Sequence, residues 1–212
     1  MWTWIVSILV FIALLGIFTL IISKVEKNAR NLTYAALFAA LTAIGAWIKI
    51  PLPYVPFTMQ VFFAIFSGIL LGSRLGLLSQ LVYILIGLIG VPVFTQGGGI
   101  GYIFQPTFGY LIGFAAAAYV TGLIVERLNK NTFTTYLVAA LPGIAVIYLC
   151  GVPYLYIINA LYLTKAFTFK MAVYYGFSLS IIGDLVSCII LCSIAPSIVK
   201  ALAASKLLKR GN

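Results

Sequence analysis

The chain has no histidine and, in 212 residues, only three acids, Glu26, Glu126 and Asp184. General acid-base catalysis relies on imidazole and tuned carboxylates, and metal sites on clusters of His, Cys, Asp and Glu. Neither has material here, so the composition speaks against an enzyme and against a bound metal or other cofactor. Cysteine is also scarce: Cys150 stands alone, and Cys188 and Cys192, four apart on an apolar stretch, read as small packing residues rather than a disulfide or redox pair. No phosphate-binding loop is present, so energy for any transport would have to come from another chain. Internal repeats are not visible either, which weighs against a secondary carrier built from inverted halves.

The sequence is instead rich in apolar length. It is 64% hydrophobic and 8% charged, outside the range of soluble domains, and fits an all-α polytopic membrane protein. Thirteen Lys and Arg give a formal charge of +10. They lie mainly in short loops and at the C-terminus, where cations set topology and meet anionic membrane lipid, so the basic balance implies no nucleic-acid partner.

Seven apolar stretches follow in order, at 2–22, 32–50, 57–71, 75–90, 107–125, 132–156 and within 171–200. The first lacks the basic start and small-residue cleavage site of a secretory signal and reads as a retained transmembrane helix, with an atypical cleaved signal as the weaker alternative. Alanines at Ala35, Ala39 and Ala43, spaced by four, form a smooth face for close helix contact, either inside the bundle or with an external partner. Prolines in Pro51-Leu52-Pro53-Tyr54-Val55-Pro56 end the second span. Gly72-Ser73-Arg74 makes a tight turn. Within 171–200, which is too long for one straight span, 171–182 reads as a partial or re-entrant helix.

With the N-terminus outside, ten of the thirteen cations, namely Lys24, Lys27, Arg30, Arg74, Arg127, Lys130, Lys200, Lys206, Lys209 and Arg210, fall on the cytoplasmic side with the C-terminus. Lys49, Lys165 and Lys170 fall outside. That asymmetry follows the positive-inside rule. Sixteen residues from Lys200 back to Asp184 make about 24 Å of helix, which places Asp184 near the outer end of the last span.

The stretch 94–114, FTQGGGIGYIFQPTFGYLIGF, is irregular backbone at a membrane boundary. Such backbone is tolerated where protein buries it or water reaches it. It reads either as the wall of a small-molecule site or as a glycine-rich connector. Asp184 is the one acid in the apolar part of the chain, and a carboxylate there is costly unless it has work or a partner. It can bind a ligand, cap a helix or pair with a lysine. Thr58, Gln60, Tyr102, Gln105, Thr107 and Tyr110 converge on the same outer side, which favours an apolar, aromatic pocket with a few orienting polar groups.

The run Pro51-Leu52-Pro53-Tyr54-Val55-Pro56-Phe57-Thr58-Met59-Gln60, then Gly97-Gly98-Gly99-Ile100-Gly101-Tyr102 and Pro106-Thr107, resembles the BioY family of biotin transporters. Gly109-Tyr110-Leu111, Gly151-Val152-Pro153-Tyr154 and Gly183-Asp184-Leu185 follow in the expected order. These proteins are the substrate-binding S components of energy-coupling factor transporters. The resemblance implies a six-helix bundle over 32–200, preceded here by an extra transmembrane helix and basic linker at 1–31 and followed by a short basic tail at 201–212. It also implies high-affinity biotin binding from outside a prokaryotic plasma membrane. A coupling transmembrane subunit, docked on Ala35, Ala39 and Ala43, and two ATPases would energise toppling of the bundle. The pattern departs from the family at Gln105, Phe108 and Ser187.

For biotin, the implied roles divide by chemistry. Asp184 accepts from a ureido N–H, and Thr58, Gln60 or an aromatic hydroxyl meets the rest of that ring. Tyr102, Phe104, Tyr110 and Tyr148 wall the apolar part. The ligand carboxylate needs Lys165, Lys170 or the backbone N–H groups of Gly97, Gly98 and Gly99. The same scaffold with another vitamin, a self-sufficient channel or carrier, and a structural membrane protein are the competing expectations.

Overall fold

The computed structural model describes residues 2–26 and 28–205. Lys27 and, in the basic tail, Lys206, Lys209 and Arg210 lie outside the described residues. The chain forms α1 (Trp2–Ser23), α2 (Ala29–Trp47), α3 (Gln60–Leu88), α4 (Phe108–Leu128), α5 (Phe133–Ile157), a short α6 (Phe169–Val173) and α7 (Ile181–Ala204). Among the described residues, five helical stretches, including Ile5–Ser23, Phe133–Tyr162 and Phe169–Ala204, are long and apolar enough to cross a membrane.

Helix α3 is two antiparallel arms. Gly72, at φ 81° and ψ −177°, occupies backbone space essentially restricted to glycine, and the chain reverses there. Two contacts prove the reversal. Gln60 donates from Nε2 to the Tyr83 hydroxyl at 2.6 Å, although 23 residues of straight helix would separate them by about 35 Å. A Cβ on Gly76 would lie 3.1 Å from Gly68 Cα. Counting the arms separately, α2, the two arms, α4, α5 and α7 make the six-rod bundle, and α1 is the additional rod.

The reversal is clasped by an acid. Glu126, in the last turns of α4, accepts from the Ser73 N–H at 2.7 Å and from its hydroxyl at 2.8 and 3.0 Å, so the expected turn is fastened to α4 at its exposed end. Mid-bundle, the fully buried Gln80 donates to Thr42 and Ser67 at 3.1 and 3.4 Å, which ties α2 and both arms together by satisfied polar groups. Gly113 allows α4 and α5 to approach, since a Cβ there would sit 2.8 Å from Ile147 Cα.

Several boundaries differ from the sequence expectation. The second span ends at Trp47, because Lys49–Ile50 (β1) leaves the helix and pairs antiparallel with Phe57–Thr58 (β2) across the proline turn. The residue before a proline disfavours helix, and this hairpin takes that stretch instead. The third span accordingly begins at Gln60. The partial helix expected at 171–182 is α6 followed by the π-helical turn Tyr174–Ser178, after which α7 starts.

Helix α1 rests against α3 and the 3-10 turn Ile100–Phe104. Leu9 and Leu20 are 60% and 63% exposed, as suits a helix facing lipid on the periphery of the bundle. Helix α2 is rotated relative to the expected docking face. Ala35 and Ala39 are buried against the bundle and Ala43 is half-buried, whereas Ala36 and Ala40 are exposed. Outward docking through Ala35, Ala39 and Ala43 is therefore corrected: the small residues that face outward lie one position on.

Candidate functional site

At the end of the bundle formed by the β1–β2 hairpin and the start of α7, side chains from four elements meet. Asp184 lies in the first turn of α7, where the helix dipole favours a negative charge. Its carboxylate accepts from the Tyr148 hydroxyl of α5. Of the three partners weighed from sequence, ligand, cap or lysine, the structure supplies a fourth, a tyrosine. Tyr148 in turn stands edge-on to Phe177, with ring centroids 4.9 Å apart at 85°, and to Tyr110, at 6.3 Å and 90°. These T-shaped pairs fix the ring that carries the hydroxyl.

Tyr110 donates to the Gly176 carbonyl at 2.8 Å. Gly176 lies in the π-helical turn Tyr174–Ser178, a local widening of the kind that often re-aims side chains at functional sites. Here it carries the chain to Ser180, whose hydroxyl is buried and has no hydrogen-bond partner. An orphaned buried hydroxyl is uncommon, because burial without a partner costs free energy.

On the opposite side, Thr58 donates to Gln60 Oε1 at 3.2 Å. Gln60 hands the network to Tyr83, which donates to the Val93 carbonyl at 3.1 Å. A second set of hydroxyls runs from Thr95 to Tyr102 at 3.1 Å and from Tyr102 to Thr107 at 2.9 Å. Thr58, Gln60, Thr107, Tyr110, Tyr148 and Asp184 border one cavity, together with Thr95 and Ser180 and apolar walls that include Phe114 and Ile147. The cavity is narrow, with a volume of about 40 Å³.

Tyr54, Phe167 and Tyr175 pack as tilted rings beside the hairpin residues Val55 and Phe57 that line the cavity, with centroids 4.8 and 5.0 Å from Tyr54. Tyr54 adopts φ 65°, a strained value for a bulky residue. Lys165 sits with Nζ 6.0 Å from the centroid of Tyr54, within cation–π reach.

Other expected site residues do not border the cavity. The Tyr102 hydroxyl bonds to Thr95 and Thr107, which do border it. Phe104 stacks on Tyr162 at 4.7 Å. The glycine triplet turns the chain: the Gly97 N–H goes to the Phe94 carbonyl at 3.2 Å and the Gly99 N–H to the Gly87 carbonyl at 2.7 Å. Two of the three N–H groups assigned to an anion nest are thus committed internally, and the positive φ of Gly97 and Gly99 serves that turn. Sequence reasoning missed Thr95, Ser180 and the Tyr83 relay. Ser180, four residues before Asp184 in an apolar run, was the one signal available for them. Lys49, weighed from sequence as a partner for Asp184, instead donates to the Thr95 carbonyl at 3.0 Å.

The model of the BioY family matches residues 3–204. The chain belongs to the BioY family. Family membership agrees with the resemblance carried by the proline and glycine motifs, and the match takes in α1. A probable biotin transporter BioY from Lysinibacillus sphaericus is 46% identical over 184 residues, 87% of this chain and 94% of that protein. The biotin transporter BioY of Thermotoga maritima is 45% identical over 124 residues, 58% of this chain and 72% of that one. Among solved structures, the S-component for biotin from an ECF-type ABC transporter superposes with a TM-score of 0.71, covering 80% of this chain and 90% of that chain. At 24% identity, that likeness establishes the fold alone; the apolar helices make the chain, like its BioY-family relatives, an integral membrane protein.

Proposed function

We propose that the chain is the high-affinity biotin-binding membrane subunit of a vitamin uptake transporter, and that biotin sits between Asp184 and Gln60. The observation that carries this reading is the meeting of a carboxylate, an orphaned hydroxyl and an amide around one apolar cavity in a BioY-family chain. The family is one of transport subunits, not enzymes.

A ureido ring offers two N–H donors and one carbonyl acceptor. Asp184 and the Gln60 or Thr58 oxygen match the donors, and the Ser180 hydroxyl matches the carbonyl. Phe114, Tyr110, Tyr148 and Ile147 supply the apolar walls for the fused thiophane ring. Lys49, which donates to the carbonyl of the cavity residue Thr95, and Lys165, over the Tyr54 ring, can each meet the carboxylate of the ligand; the Gly97 and Gly99 N–H groups already serve internal bonds. Because the cavity is narrow, seating a bicyclic ligand moves the Tyr54, Phe167 and Tyr175 cover outward.

The cation-rich end of the bundle, with Arg74, Arg127 and Lys200, faces the cytoplasm of a prokaryotic cell, and the Asp184 end faces outside. A coupling subunit meets α2 through the exposed Ala36 and Ala40, where small side chains permit close helix approach. Two ATPases on that subunit supply the energy, and the whole bundle topples to release biotin inside. The boundaries 1–31, 32–200 and 201–212 serve as peripheral helix and linker, binding domain and tail.

Equilibrium binding of tritiated biotin to the detergent-purified chain, with thiamine and riboflavin as competitors, tests the assignment. Saturable binding near 1 nM, about −12 kcal/mol, that neither competitor displaces is expected. Absence of biotin binding together with tight binding of another vitamin would move the chain to a different substrate.

A further inference from the structure

A larger cavity among the described residues lies far from Asp184. About 860 Å³ is open at the opposite end of the bundle, between the α1–α2 linker, the Gly72 reversal and the last turns of α4 and α7. That is within the range of small-molecule pockets. Its deep wall is apolar, made by Phe38, Leu41, Phe66, Leu70 and Ile198. Its rim carries three cations, Lys24, Arg30 and Arg74. The Arg74 guanidinium is held over the linker by donating to the Lys24 carbonyl at 3.4 Å, which brings two of the cations to one edge. One acid, Glu126, also borders the groove, but its two carboxylate oxygens already accept three hydrogen bonds from Ser73.

We infer that this groove binds one anionic phospholipid from the leaflet at the cation-rich end, its phosphodiester on Arg30, Arg74 and Lys24 and an acyl chain along Phe38, Leu41 and Phe66. Charge complementarity selects this occupant: a row of cations above an apolar trough matches an anionic headgroup above an acyl chain, and basic pockets between transmembrane helices are a recurrent form of lipid site. A zwitterionic lipid carries a compensating cation that the rim would repel, and free phosphate would leave the apolar wall exposed. Seated there, the lipid bridges α2, α3 and the residues Lys24 and Val25 that follow α1. The inference does not depend on the identity of the vitamin.

The test uses the full chain, delipidated in dodecylmaltoside and supplied with dioleoylphosphatidylglycerol, dioleoylphosphatidylcholine or glycerol 3-phosphate. One phosphatidylglycerol retained per chain in native mass spectra, with a higher thermal midpoint that the other two additives do not give, is the expected result. The R30Q/R74Q double variant should retain that lipid on the order of tenfold less well, from the loss of two surface cations, while staying monodisperse. Leu41→Trp, which fills the trough without altering charge, should also exclude the lipid. Equal retention of phosphatidylcholine, an equal effect of glycerol 3-phosphate, or unchanged retention in both variants would overturn the assignment. So would phosphatidylglycerol failing to bind at all, as expected if a protein partner fills the groove.

Discussion

The Tyr148 hydroxyl donates to the Asp184 carboxylate, joining α5 to α7 across the wall of the binding cavity. This pairing lets a carboxylate stay buried while keeping acceptor capacity free, since an ionised carboxylate accepts on both oxygens. Asp184→Asn should weaken biotin binding by roughly 10- to 150-fold, the range for a hydrogen bond to a charged group of about 1.5–3 kcal/mol. Tyr148→Phe should weaken it less and lower the thermal midpoint as well, because it leaves a buried carboxylate without its donor. Titration calorimetry and thermal unfolding of both variants separate the two effects.

Ser180 makes the opposite kind of prediction. Its hydroxyl is buried without a partner in the unliganded chain, so Ser180→Ala should leave the thermal midpoint unchanged or raise it, while affinity for biotin falls about fivefold, the worth of one ordinary hydrogen bond of about 1 kcal/mol. A loss of stability with affinity intact would assign Ser180 to packing.

Gly72 and Glu126 should be coupled in stability rather than in binding. Gly72→Ala forces a side chain into glycine-only backbone space, at a cost of about 1–3 kcal/mol, and crowds the Glu126 carboxylate. Glu126→Ala leaves the Ser73 N–H and hydroxyl unpaired, also costing about 1–3 kcal/mol. Thermal unfolding of the single and double variants should show a combined loss smaller than the sum, because both act on one turn.

Docking to a coupling subunit should depend on Ala36 and Ala40. A36L/A40L keeps biotin binding and abolishes co-purification with a coupling module, whereas A35L/A39L overpacks the bundle and lowers the thermal midpoint, by about 1–3 kcal/mol of stability per site. Pull-down and unfolding measured on the same preparations check both halves.

These cases mark where residue type carries enough information and where it does not. Asp184, Gln60 and the proline turn were legible because polar or helix-breaking residues inside apolar runs demand a reason, and the Gly72 turn was legible because a glycine beside a serine and an arginine interrupts one. Ala35 and Ala36 begin patterns with the same four-residue spacing, about 100° apart around the helix, so only the packing of α2 selects between them. The glycine triplet was ambiguous for a similar reason. Positive φ serves a tight turn as well as it serves an anion nest, and the partners Phe94 and Gly87 that decide between them emerge on folding. Thr95 and Tyr83 reach the site only through the α3 reversal and the following loop, which no local pattern encodes.

A structure of the chain crystallised with biotin tests the central claim most directly. The account predicts ureido nitrogens within about 3 Å of the Asp184 carboxylate and the ureido oxygen at the Ser180 hydroxyl, with the valerate tail pointing towards Lys49 or Lys165. Biotin bound elsewhere on the bundle, with the pair Tyr148 and Asp184 closed and untouched, would contradict it.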